Sequence, residues 1–198
     1  MIRIGVLLMM MSSMMPGQAI SQGERDRSMS YLHATRKQLL DAVSGMTEAQ
    51  WKFKPGPERW SAAEITEHLA ATEDAVWETV GKAMQAAAAP EKKAEVQGKD
   101  DLIMKAVPNR SRRVQAPEPV QPTGRWKSKA EAVAAFKQYR DRTIELVQTS
   151  QKDLRAHFAP HPFLGLFDCY QWTVFAAAHA DRHLQQLREV MEDPGFPK

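Results

Sequence analysis

The chain has 198 residues, of which 27 are Lys or Arg and 24 Asp or Glu, giving a formal net charge of +3. So mild a balance, without a basic stripe along one face, argues against nucleic acid as a partner. One cysteine, Cys169, excludes an internal disulfide.

The opening residues, MIRIGVLLMMMSSMMPGQA, read as a secretory leader. Arg3 precedes an apolar run from Ile4 to Met15, Pro16 and Gly17 end it, and Gly17-Gln18-Ala19 offers small residues at a cleavage point. The run is too short to cross a bilayer, and no later stretch approaches that length. The expectation is a signal peptide at 1–19, export to the periplasm or beyond, and no membrane attachment after cleavage. A misassigned start is the competing reading, in which Met14, Met15 or Met29 opens a cytoplasmic protein. Roughly 179 residues follow the leader, enough for one domain with a full core, placed here at 24–192.

Helical spacing dominates the rest of the chain, and nothing alternates convincingly at period two. A first helix is expected from about Glu24 to Ser44, burying Met29, Leu32, Leu39, Leu40 and Val43. Thr47-Glu48-Ala49-Gln50 reads as the cap of a short turn leading to Trp51. Ser61-Ala62-Ala63-Glu64 is a capping box, with Trp60 and Ile65 placed as a hydrophobic staple. The second helix it opens carries Ile65, His68, Leu69, Thr72 and Val76 on one face and fades into Pro90. About forty residues, rich in proline, lead to the next cap, with a short helix possible at 99–107. The basic run Asn109 to Arg113 within them reads as a solvated loop. Ser128-Lys129-Ala130-Glu131 opens a third helix with Val133, Phe136, Ile144 and Val147 inward. His157 to Phe163 reads as a loose loop. Asp168-Cys169-Tyr170-Gln171 caps a fourth helix with a stripe through Trp172, Phe175, Ala176, Leu187 and Val190. The fold class expected is all-α: a four-helix bundle with a long crossover between helices 2 and 3.

His179 and His183, four residues apart, share the fourth helix's apolar stripe, and His68 lies on that of the second. Three inward imidazoles from two helices outline a divalent metal site with a position left open. Spacing alone leaves this and an ordinary histidine-containing core equally open, although an unsatisfied buried polar group costs about 1–3 kcal/mol. Glu64, one turn before His68, is either a proton acceptor or simply its helix cap. Gln186 either orients a ligand or closes the bundle end. Cys169, at a helix start, is expected to have a lowered thiol pKa but lies too far from His179 to ligate with it. His33, His157 and His161 are read as surface or loop residues.

Pro55-Gly56-Pro57-Glu58-Arg59-Trp60-Ser61 with Glu67-His68-Leu69, and the run DCYQWTVFAAAHADRHLQQ from Asp168 to Gln186, resemble the two signatures of the DinB-like superfamily. The likeness runs from about Arg27 to Val190. It implies a four-helix bundle in which His68, His179 and His183 bind a divalent metal, commonly zinc or nickel. Some members, such as bacillithiol transferases and mycothiol-dependent maleylpyruvate isomerases, use the metal to activate a thiol cofactor found in the cytoplasm. A homodimer through the outer helices is implied by the same likeness. The functional expectation is therefore a metal-dependent hydrolase or group (S-)transferase acting on a small molecule. The alternatives are a helical module whose ion is structural and a plain interaction domain without metal.

Overall fold

A computed structural model describes residues 20–198, so the expected signal peptide at 1–19 lies outside the described residues. The long helices are α1 (Gln22–Ser44), α3 (Ala62–Gln85), α5 (Lys129–Thr149) and α6 (Cys169–Met191). Short helices α2 (Glu48–Lys52) and α4 (Lys99–Ala106) lie in the connections, as does an antiparallel hairpin of β1 (Phe158–His161) and β2 (Gly165–Asp168). No described helix is long and apolar enough to cross a membrane.

The helices begin where side-chain oxygens meet the orphan amides of the first turn. Reciprocal capping boxes at Thr47/Gln50, Ser61/Glu64 and Asp168/Gln171 start α2, α3 and α6. A further box, Ser21/Glu24, starts α1 two residues earlier than its spacing suggests.

Helix α1 packs against α5 and α6, and α3 packs against the same two. Arg25 at the start of α1 donates to the carbonyls of Val147 and Ser150 at the end of α5. Tyr170 at the start of α6 donates to Glu24 O. Glu67 near the start of α3 meets the turn just before α5. So α1 and α6 run parallel, and α3 and α5 run parallel in the opposite sense. The long crossover between α3 and α5 carries the chain back the length of the bundle, giving up-down-down-up order.

Two apolar clusters occupy the two halves of the bundle. One gathers Leu32, Val76, Val80, Ile144, Val147 and Phe167 with Tyr170, Trp172, Val174 and Phe175 of α6. The other gathers Leu39, Val43, Ile65, Leu69, Phe136, Leu184, Leu187 and Val190. Between them lies a buried polar layer centred on Arg140, which is 0% exposed. Its guanidinium donates to Glu73 Oε1 at 2.6 Å and Oε2 at 2.9 Å, to Leu32 O at 2.9 Å, to Thr35 Oγ1 at 2.7 Å and to Ala176 O at 3.2 Å. One side chain on α5 thus ties α1, α3 and α6 together.

Some expected details differ. Met29, Leu40 and Val133 are only half-buried; Ser28, Thr35, Ala132 and Ala135 take the inward positions instead. The loose loop at 157–163 is the first strand and turn of the hairpin, where Ala159 O accepts from the Trp172 indole at 3.2 Å.

Arg140→Leu strands the Glu73 carboxylate and is expected to cost about 3–5 kcal/mol in urea denaturation. Glu73→Leu combined with Arg140→Leu is expected to recover most of that loss, because no charge is then left buried alone.

Candidate metal centre

His68 stands in the second turn of α3, one turn past the Ser61/Glu64 cap, and faces α6. His179 and His183 stand one turn apart on α6. Nε2 of His179 lies 3.2 Å from Nε2 of His68 and 3.2 Å from Nε2 of His183. One nitrogen from each ring falls within 4.8 Å of the other two. His68 is 3% exposed and His183 7%, whereas His179 is half-buried.

Burial disfavours a charged imidazole. It pushes His68 down to about 4 and holds His179 and His183 well below the usual histidine range; adjacent histidines and Arg182 add to the effect. All three rings are therefore neutral near pH 7, each with one N–H and one lone pair.

The outer nitrogens decide where those lone pairs point. Nδ1 of His68 donates to Val120 O at 2.7 Å. Nδ1 of His183 donates to Gln186 Oε1 at 2.8 Å. A ring whose Nδ1 carries the hydrogen presents a lone pair at Nε2. The Nε2 atoms of His68 and His183 thus aim lone pairs at His179 Nε2, which can offer one hydrogen at most. At least one close contact sets lone pair against lone pair, and a cation at the common point relieves it. Tetrahedral coordination with Zn–N of about 2.0–2.1 Å puts ligand nitrogens roughly 3.3 Å apart. The spacing and the three neutral nitrogens fit zinc, nickel or an ion of similar softness.

The walls around the trio are aromatic. Trp60, the staple residue of α3, has its ring centroid 4.9 Å from His68 and 5.9 Å from His183, nearly parallel to the latter at 21°. Phe175 lies 5.4 Å from His179 on the hairpin side.

Gln186 sits beside the trio through its bond to His183, and Glu64 does not. The Glu64 carboxylate accepts from Ser61 N at 2.8 Å and from Lys54 Nζ at 2.9 Å, so its cap holds it away from the rings. Cys169 also departs from expectation: burial, with Asp168 alongside, pushes its thiol up to about 12 rather than down. His33 is exposed and His157 half-buried. Arg110 is no free loop residue: it pairs with Glu189 of α6 at 2.8 and 2.9 Å and reaches Gln186 Oε1 at 3.5 Å. The Val120 carbonyl, a backbone group, could not be found from residue types at all.

His161 closes the hairpin turn. Its Nδ1 accepts from the amides of Phe163 and Leu164, both at 3.2 Å, while its ring packs on Phe175 at 4.6 Å and Phe167 at 5.2 Å.

The model of the DinB superfamily matches residues 31–187. The chain belongs to the DinB superfamily. Among its relatives, the uncharacterised protein YuaE of Bacillus subtilis (strain 168) is 21% identical over 164 residues, covering 83% of this chain and 97% of that protein. Among solved structures, this DinB-superfamily bundle is similar to YfiT from Bacillus subtilis, described as a probable metal-dependent hydrolase with an unusual four-helix bundle topology. That superposition has a TM-score of 0.55 and 15% identity and covers 92% of this chain and 94% of YfiT.

The His161 imidazole is pushed down to about 4 by burial, against an ordinary value of 6.5. The unfolded chain therefore takes up this proton first as the pH falls, so its contribution to stability is complete above about 6.5 and lost toward 4. Melting temperature of chelator-treated protein is expected to drop across that window. His161→Asn, which keeps an acceptor for the turn but cannot titrate, is expected to show a shallower drop.

Proposed function

We propose that His68, His179 and His183 hold one divalent ion, zinc or nickel, and that the protein is a metal-dependent hydrolase acting on a small molecule, with group transfer as its sister chemistry. The observation that carries this reading is the convergence of three neutral ring nitrogens whose lone pairs face one another at 3.2 Å. Three protein ligands leave a tetrahedral ion one open position, as catalytic sites do, whereas structural sites usually close with four.

When bound, the ion supplies an undiminished positive charge that acidifies a water or thiol and polarises an oxygen of the substrate. The chain's own groups do the rest. Val120 O and Gln186 Oε1 fix which ring nitrogen faces inward. Trp60 and Phe175 cover the rings with apolar surface and keep water away from all but the open side. His179 is the most exposed of the three rings. The description of YfiT supports hydrolysis, and an export leader at 1–19, as the sequence suggests, would part the protein from cytoplasmic thiol cofactors.

A second reading, an ion that only ties helices together, is favoured by one feature: the trio joins α3 to α6 across the bundle. Removal of the metal separates the two. A catalytic centre leaves a folded apo protein with its melting temperature lowered by a few degrees and activity lost. A structural ion leaves a chain that unfolds with the chelator.

Elemental analysis of untagged protein is expected to give about one ion per chain, falling to near zero in His179→Ala. Equal metal in the two samples would remove the assignment.

A further inference from the structure

Glu67 immediately precedes His68, yet its side chain leaves α3 on a different side. Its carboxylate, 6% exposed as a residue, collects three successive backbone amides of the crossover: Thr123 N at 2.8 Å, Gly124 N at 3.0 Å and Arg125 N at 3.1 Å. The Thr123 hydroxyl at 3.4 Å and Arg125 Nε at 3.5 Å complete the set. Three amides can converge on one carboxylate only because the backbone reverses at Gly124, whose φ of +73° suits glycine.

Three residues before this turn, Val120 ends a short 3-10 turn, and its carbonyl accepts from His68 Nδ1 at 2.7 Å. Neither Thr123 nor Val120 belongs to the bundle; both are carried by the crossover. A single dipeptide of α3 therefore holds the crossover by one side chain and is oriented by it through the next. We propose that Glu67 is a positioning residue of the metal centre: by anchoring the turn at 123–125 it keeps the Val120 carbonyl on His68 Nδ1, and so fixes the tautomer and aim of that ligand. This rests on the metal reading for its functional consequence, but the tautomer itself does not depend on any ion.

Glu67→Gln keeps the side chain's size and removes one acceptor oxygen, so at least one of the three amides loses its partner. Gly124→Ala strains the same turn from the crossover side, with nothing within 4 Å of the added Cβ to obstruct it. Imidazole nitrogen–proton correlation spectra of the apo protein are expected to show His68 as a single Nδ1–H tautomer in wild type. In both variants that signal becomes a mixture, while His183, held by Gln186, keeps its own. Chelator competition is expected to give a zinc Kd about 10–100-fold weaker in both variants, the range usual for groups that orient a metal ligand.

An unchanged His68 tautomer and zinc Kd in Glu67→Gln would overturn the proposal. So would His68 and His183 changing together with a broad fall in apo melting temperature, which would mark a general loosening. If wild type takes up neither zinc nor nickel, the metal reading fails, and the tautomer comparison alone then upholds or overturns the role of Glu67.

Discussion

The geometry of the candidate centre depends on a charge pair that never touches it. Arg140 and Glu73 are both almost fully buried, and the guanidinium also binds carbonyls of α1 and α6. Glu73 lies five residues beyond His68 on α3, and Ala176 lies three residues before His179 on α6. At 1.5 Å of rise per residue, the pin sits within about 8 Å along each helix of the histidine it governs. A slide of α3 against α6 by even part of a turn would part the rings, and the fixed hydrogen bonds of the guanidinium oppose that slide. A buried ion pair is weak evidence of stability, but it can fix register, since a shifted arrangement would leave both charges unpaired.

The centre has a second support outside the bundle. The crossover supplies the Val120 carbonyl to His68 and brings Arg110 to Glu189 and Gln186, the residue that holds His183. Two of the three rings are thus oriented by or beside a segment that is neither long helix nor core. Arg155 gives the other end of the molecule a comparable anchor, bonding Glu24, Asp100 and Asp168 and lying 4.1 Å over the Tyr170 ring. The starts of α1, α4 and α6 meet there, so α6, the helix that carries both His179 and His183, is fixed at the end remote from those rings.

Much of this was legible in residue types. Ser61 with Glu64 and Asp168 with Gln171 announce helix starts because capping is local, needing only a side chain and the amide three residues on. The inward facing of His68, His179 and His183 followed from a period of 3.6, which is also local. The hairpin was not legible: its strands are four residues long, and the first, Phe-Ala-Pro-His, gives no alternation to read. Cys169 departs from expectation because a helix start lowers a thiol pKa only where the thiolate can be solvated, and here burial dominates. Val120 acts through its backbone, which residue identity does not reveal. Arg140 did leave a sign: it falls four residues after Phe136 and four before Ile144, a charge on an apolar stripe that demands a buried partner.

The two polar features divide a single problem between them. Three neutral histidines in a bundle core could hydrogen-bond to each other in several tautomeric patterns, and such a core would satisfy itself without an ion. The acceptors on Nδ1 of His68 and His183 exclude most of those patterns, because each pins a hydrogen on the outer nitrogen and leaves the inner one bare. His179 is held differently, by the face of Phe175 at 5.4 Å and 31°. It can therefore lend a hydrogen to one neighbour but never to both. The residues that look merely structural, Glu67 through its turn and Gln186 through its amide, convert a pair of core histidines into inward-facing donors, and the Arg140 pin supplies the distance at which a third donor completes the set.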